Sequence, residues 1–130
     1  MAKMIHSMIR VADEARSLAF YESAFGLSVA DRLEFDSFSL IYLSNAEQDF
    51  ELELTVNHGH GAYDLGNGYG HLAVSVADLD AAFTQISALG APCTPKRELV
   101  LHGQTVGKFF FVTDPDGYKI EVLQRAGRFK

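Results

Sequence analysis

Tryptophan is missing from the 130 residues, cysteine occurs once, and no apolar run approaches the roughly 18 residues that a membrane-spanning helix needs. With Cys93 alone, no disulfide can close within the chain, which excludes a small disulfide-stapled scaffold. The first residues, Met1-Ala2-Lys3-Met4-Ile5-His6, hold neither a long apolar stretch nor a signal-cleavage pattern. A reducing cytoplasm is therefore the expected compartment, and no membrane partner is expected. Basic residues are also scarce: 11 Lys and Arg stand against 17 Asp and Glu, for a formal net charge of −6. Apart from Lys96-Arg97 and a scattered tail they do not cluster, so no cationic stripe exists to track a phosphate backbone. Nucleic acid is excluded as the expected partner, and the negative total adds only a solubility argument.

What is present is a globular composition, 48% hydrophobic and 22% charged, rich in Phe. It fits one ordinary domain or two small halves. The segment His6-Ser-Met-Ile-Arg-Val-Ala-Asp13 resembles His71-Leu-Ala-Val-Ser-Val-Ala-Asp78, with the same His to Val-Ala-Asp spacing. A helix is predicted after each. The first, over 14–25, carries Leu18, Phe20, Tyr21 and Phe25. The second, over 79–89, carries Leu79, Ala82, Phe83, Ile86 and Leu89 at the spacing of an amphipathic stripe. Asp13 and Asp78 are placed to accept orphan N–H groups as N-caps, and Gly26 and Gly90 to end the helices in the left-handed region.

Strands are predicted over 38–43 and 50–56 in the first half and over 109–112 and 118–123 in the second. Asp114-Pro115-Asp116-Gly117 signals a tight turn between the last two. Each half then reads β-α-β-β-β, as modules over 4–57 and 68–125 of a single domain, 1–130. The Gly-rich stretch between them, opening Asn57-His58-Gly59-His60-Gly61 and running to Gly70, reads as a linker. A period of 71 − 6 = 65 residues is too long and too singular for a solenoid.

Within this repeat, one His and one Glu recur in each half. His6 and Glu53 are 53 − 6 = 47 residues apart, and His71 and Glu121 are 121 − 71 = 50 apart. Strand alternation sets His6 with Met8 and Arg10, and Glu53 with Glu51, Thr55 and Asn57, opposite the apolar faces that must pack on helices. His71 shares a face with Ala73 and Ser75, and Glu121 with Lys119 and Leu123. Two imidazoles and two carboxylates brought together would suit Zn, Ni, Co or Fe better than Ca or Mg. Solvated polar positions on half-exposed strands are the simpler explanation for any one of the four. Glu51, on the same face as Glu53, is the alternative ligand.

The stretches His6-Ser-Met-Ile-Arg-Val, Phe20-Tyr21-Glu22, Phe25-Gly26-Leu27, Glu53-Leu-Thr-Val-Asn57, Gly68-Tyr-Gly-His71 and Asp114-Pro-Asp-Gly-Tyr-Lys-Ile-Glu121 resemble glyoxalase I (lactoylglutathione lyase) of the vicinal-oxygen-chelate superfamily. The resemblance covers nearly the full length. It implies an α+β fold of two βαβββ modules forming curved sheets, paired across a homodimer. It implies His6, Glu53, His71 and Glu121 as metal ligands, and it places the glutathione-binding positions on Arg10, Asn57 and Arg97. The short chain resembles the compact type that favours Ni or Co, with Zn possible. The implied reaction isomerises the hemithioacetal of methylglyoxal and glutathione to S-lactoylglutathione through an enediolate, with Glu121 as base and Glu53 able to serve the other face. The linker His58-Gly-His60-Gly and the stretch Leu99 to His102 are particular to this chain.

Rival readings keep the fold: an acyl-CoA epimerase, a ring-cleaving dioxygenase, a thiol transferase, or a metal-free drug-binding module. Four intact ligands weigh against the last three, and Arg10 with Asn57 favours glutathione over an acyl-CoA. His58 and His60 read as solvated linker residues, His102 as a loop residue, and Cys93 as a small buried apolar residue.

Overall fold

A computed structural model describes all 130 residues. It contains eight strands and two helices, arranged in two compact units, Met1–Asp64 and Leu65–Lys130. No helix is long and apolar enough to cross a membrane.

The first unit runs β1 (His6–Arg10), α1 (Glu14–Phe25), β2 (Ser28–Glu34), β3 (Phe38–Ser44) and β4 (Glu51–Asn57). Its sheet has the order β1-β4-β3-β2. β1 lies parallel to β4, and the other neighbours are antiparallel. The parallel pair forces a crossover, which α1 supplies by carrying the chain from one edge of the sheet to the other. Asp13 caps α1 as expected: its side chain accepts the Arg16 N–H at 3.0 Å. Gly26 ends the helix at φ 65, where its N–H reaches the Glu22 carbonyl. Strand alternation builds the core. Ile9, Ile41, Leu43, Leu52 and Leu54 point to the buried side, where Phe20, Tyr21 and Ala24 of α1 are buried too.

The second unit repeats the plan with β5 (Leu72–Val76), α2 (Leu79–Ser87), β6 (Arg97–Leu101), β7 (Gln104–Thr113) and β8 (Lys119–Gln124), ordered β5-β8-β7-β6. β5 is parallel to β8, and the remaining pairs are antiparallel. Asp78 caps α2 by accepting the Ala81 N–H at 3.0 Å. α2 lies against β7 and β8, with Ile86 fully buried and Phe83 edge-on to Phe110 at 5.1 Å.

α2 is shorter than its sequence stripe. It ends at Ser87, and the chain tightens through Leu89 N–H to Ile86 and Gly90 N–H to Ser87 before Gly90 turns left-handed at φ 84. Leu89 consequently lies off the helix and 45% exposed.

The turn before β8 follows the expected chemistry. Gly117 takes φ 99, and the buried Asp114 accepts the N–H groups of Asp116 and Tyr118, each at 2.9 Å.

Candidate metal centre

The parallel strand pairs position the four His and Glu side chains. In β1 and β4, Met8 is the register partner of Glu53, so His6 sits two residues back along the neighbouring strand on the same face. In β5 and β8, Ala73 is the partner of Glu121, and His71 stands the same two residues back, immediately before β5. One diagonal is thus made twice. It brings His6 Nε2 to 3.0 Å from Glu53 Oε2, and His71 Nε2 to 3.0 Å from Glu121 Oε2. Glu51, although opposite His6 in register, does not take this contact.

Each diagonal is fixed by backbone close by. Glu51 N–H donates to the Ile5 carbonyl at 3.0 Å, tying the start of β1 to the start of β4. In the second unit the Tyr69 hydroxyl donates to the Lys119 carbonyl at 2.9 Å and accepts the Leu72 N–H at 3.2 Å. That clasp brackets both His71 and Glu121, which gives Tyr69 of the Gly68-Tyr-Gly-His71 stretch a physical reason. Burial raises the Tyr69 phenol above its ordinary pKa, so it remains a donor.

The two pairs differ in their surroundings. The Glu53 side chain is 10% exposed and that of Glu121 is 19% exposed. Tyr42 of β3 is the register partner of Glu53, and its ring meets His6 edge-on at 5.9 Å. Burial, followed by the hydrogen bond of its hydroxyl with Glu53, pushes the Tyr42 phenol above its ordinary pKa. In the second unit the partner of Glu121 is Phe111, edge-on to His71 at 5.2 Å. Alternation alone could not single out Tyr42, because its facing partner depends on the β3–β4 register.

No group of three His, Cys, Asp or Glu side chains gathers around a common point. Each unit therefore offers one nitrogen and one oxygen donor already in contact. The imidazole–carboxylate chemistry fits a divalent transition ion better than Ca or Mg.

Arg10 and Asn57 repeat the His–Glu diagonal further along the strands. Arg10 is four residues beyond His6 and Asn57 four beyond Glu53 (10 − 6 and 57 − 53), and Arg10 is in register with Thr55, two residues before Asn57. Asn57 Nδ2 donates to the Tyr63 hydroxyl at 2.9 Å, and Tyr63 stacks on His60 with ring centroids 4.1 Å apart. The equivalent diagonal of the second unit holds Ser75 and Arg125, with Arg125 Nε donating to Ser75 Oγ at 3.2 Å. Arg97 is not brought to the His71–Glu121 pair of its own unit. It begins β6, an edge strand two strands away from β8, opposite Phe109.

The remaining histidines and the cysteine have other partners. His58 Nε2 lies 2.9 Å from Ser39 Oγ, which donates to Glu34. His102 adopts φ 49 in the β6–β7 turn. Cys93 bridges to Val112, and burial pushes its thiol above the ordinary value.

The family profile of the Glyoxalase/Bleomycin resistance protein/Dioxygenase superfamily matches residues 3–122. The chain is 36% identical over 129 residues to a probable lactoylglutathione lyase of Synechocystis, covering 96% of this chain and 97% of that one. It is 38% identical over 132 residues to a lactoylglutathione lyase of Salmonella typhimurium, covering 97% and 96%. The trypanothione-dependent glyoxalase I of Leishmania major superposes with a TM-score of 0.77 at 32% identity, over 95% of this chain and 87% of that one. Glyoxalase I of Zea mays superposes at 0.83 with 29% identity, over 96% of this chain but 45% of the maize chain, so this chain spans about half the maize length. The repeated βαβββ unit, its doubled His–Glu diagonal and these full-length likenesses place the chain in the glyoxalase I (lactoylglutathione lyase) family of enzymes, within the Glyoxalase/Bleomycin resistance protein/Dioxygenase superfamily.

Proposed function

We propose that this chain is a metal-dependent lactoylglutathione lyase. Its substrate is the hemithioacetal that a 2-oxoaldehyde such as methylglyoxal forms with glutathione, and its product is S-lactoylglutathione. The observation that carries the reading is the repeated His–Glu contact at 3.0 Å, made by the same strand diagonal in both units. His6, Glu53, His71 and Glu121 are the proposed ligands of one divalent ion, nickel or cobalt in preference to zinc. Whether the two pairs that share an ion come from one chain or from two chains of a homodimer does not alter the donor set. A single cysteine supports a reducing compartment such as the cytoplasm.

A bound divalent cation would supply Lewis-acid stabilisation of the negative charge that develops on the two neighbouring substrate oxygens. The chain's own residues do the rest. Glu121 takes the proton from C1 and returns it to C2. The hydroxyl proton passes from the oxygen on C1 to the oxygen on C2, so no oxidant or reductant is required. His6 and His71 would stay with the ion while a carboxylate moves. Arg10 pairs with a glutathione carboxylate through its planar guanidinium, and Asn57 hydrogen-bonds the peptide. Arg97 is the third proposed contact to the tripeptide. Its exposed position on the edge strand β6 leaves its guanidinium open to a charged group.

The test is an assay of the metal-free protein with methylglyoxal and glutathione, titrated separately with nickel, cobalt and zinc. Thioester absorbance should rise with nickel or cobalt and saturate. Metal binding without thioester formation for any of the three would overturn the reading.

A further inference from the structure

The two His–Glu pairs match in backbone register but not in what stands across the strand from the carboxylate. In the first unit that neighbour is Tyr42, and in the second it is Phe111. Both rings meet their own unit's imidazole edge-on, at 72° for Tyr42 with His6 and 82° for Phe111 with His71. The ring positions are therefore equivalent, and the difference is one hydroxyl. That hydroxyl is hydrogen-bonded with Glu53, and a phenylalanine offers Glu121 nothing comparable. Exposure follows the same division, since the Glu53 side chain is the more buried of the two.

We infer that Tyr42 is a positioning residue: its hydroxyl holds Glu53 as the fixed carboxylate ligand, and Phe111, lacking a donor, leaves Glu121 as the carboxylate free to move. This rests on the lyase reading above and deepens it, because it assigns unequal roles to two glutamates that the repeat makes formally equivalent. With each imidazole turned to the ion, the Tyr42 phenol is the neighbour left to restrain Glu53. Glu121, with Phe111 in the equivalent place, can rotate away and meet a C–H proton. Donors behind metal-binding side chains set ligand orientation, and removing one weakens metal binding by about 10–100-fold.

The experiment compares the parent protein with Tyr42→Phe, Phe111→Tyr and the double exchange. Each is titrated with nickel by calorimetry and assayed for thioester formation, with kcat and KM separated. Tyr42→Phe keeps the ring against His6 and removes only the hydroxyl, so its fold is preserved. It should weaken nickel binding at least tenfold. Phe111→Tyr should leave nickel affinity within about twofold and lower kcat about tenfold with KM unchanged, because Glu121 acquires a restraint. In a Glu121→Gln background, adding Tyr42→Phe should raise the residual kcat, since Glu53 becomes mobile. A structural role for Tyr42 would not produce that gain. Unchanged nickel affinity in Tyr42→Phe, or equal effects of the two single exchanges on affinity and kcat, would overturn the inference. A parent protein that shows the Tyr42-dependent nickel affinity but forms no thioester would overturn the lyase reading and leave the assignment of Tyr42 standing.

Discussion

Replacing Glu121 by Gln tests the assignment of the base with little disturbance to the fold. The substitution keeps the side chain's size, and the carboxamide oxygen can take the place of the carboxylate oxygen that lies 3.0 Å from His71 Nε2. Flanking side chains need not move, because Phe111 and Ala73 already sit in register beside this position. What is lost is a negative charge able to take a proton. A positioned general base contributes about 10²–10⁴-fold, equivalent to about 2.7–5.5 kcal/mol of barrier. The nickel-loaded variant should therefore lose at least a hundredfold in kcat. Metal content is measured on the same sample, because an amide oxygen is a weaker ligand than a carboxylate. Glu53→Gln is the companion variant, and it should lose more metal affinity and less kcat per metal-loaded site. Turnover of Glu121→Gln at close to the parent rate, with metal bound, would show that a group other than Glu121 takes the proton.

Leu54 is fully buried in β4 next to Glu53; Leu54→Ala should cost about 3–5 kcal/mol by opening a cavity, read from urea unfolding, and should weaken metal binding as β4 loosens. Asp78→Ala removes the α2 cap and should lower stability by about 1 kcal/mol, again in urea. The Ser39 hydroxyl and then the Arg32 guanidinium hold the exposed Glu34 carboxyl below its ordinary value of 4.5. A lowered folded-state pKa contributes stability that is present above the unfolded value and lost as pH falls through the folded one, so the urea midpoint should decline below about pH 4.5. Glu34→Gln should make that decline shallower, by a small amount because the group is exposed.

The repeat was legible because it rests on local chemistry. Asp13 and Asp78 cap helices wherever an orphan N–H needs an acceptor, and Gly26 ends α1 because only a left-handed residue fits there. The apolar alternation of Leu52 and Leu54 likewise marks β4. β2 and β6 were not located from the sequence, and their burial explains why. Every residue of Ser28–Glu34 and Arg97–Leu101 is exposed, so neither strand carries an in–out alternation. The four His and Glu positions were legible as matched pairs, because one diagonal across a parallel strand pair is visible as matched spacing in a duplicated sequence. Tyr42 was not, since its relation to Glu53 exists only once β3 and β4 are in register. The Tyr63–Asn57 hydrogen bond and the His60–Tyr63 stack were hidden for a related reason: they are set by how the glycine-rich segment turns back on the end of β4.

In the proposed site two imidazoles and two carboxylates, one of each from either repeat, hold a single ion. A crystal structure of the nickel-loaded protein, with the metal located by its anomalous scattering, tests this most directly. One nickel is expected for each set of His6, Glu53, His71 and Glu121, with all four bonded to it. Nickel held by one His–Glu pair alone, or by His58 and His60 while the two pairs stay unligated, would contradict it.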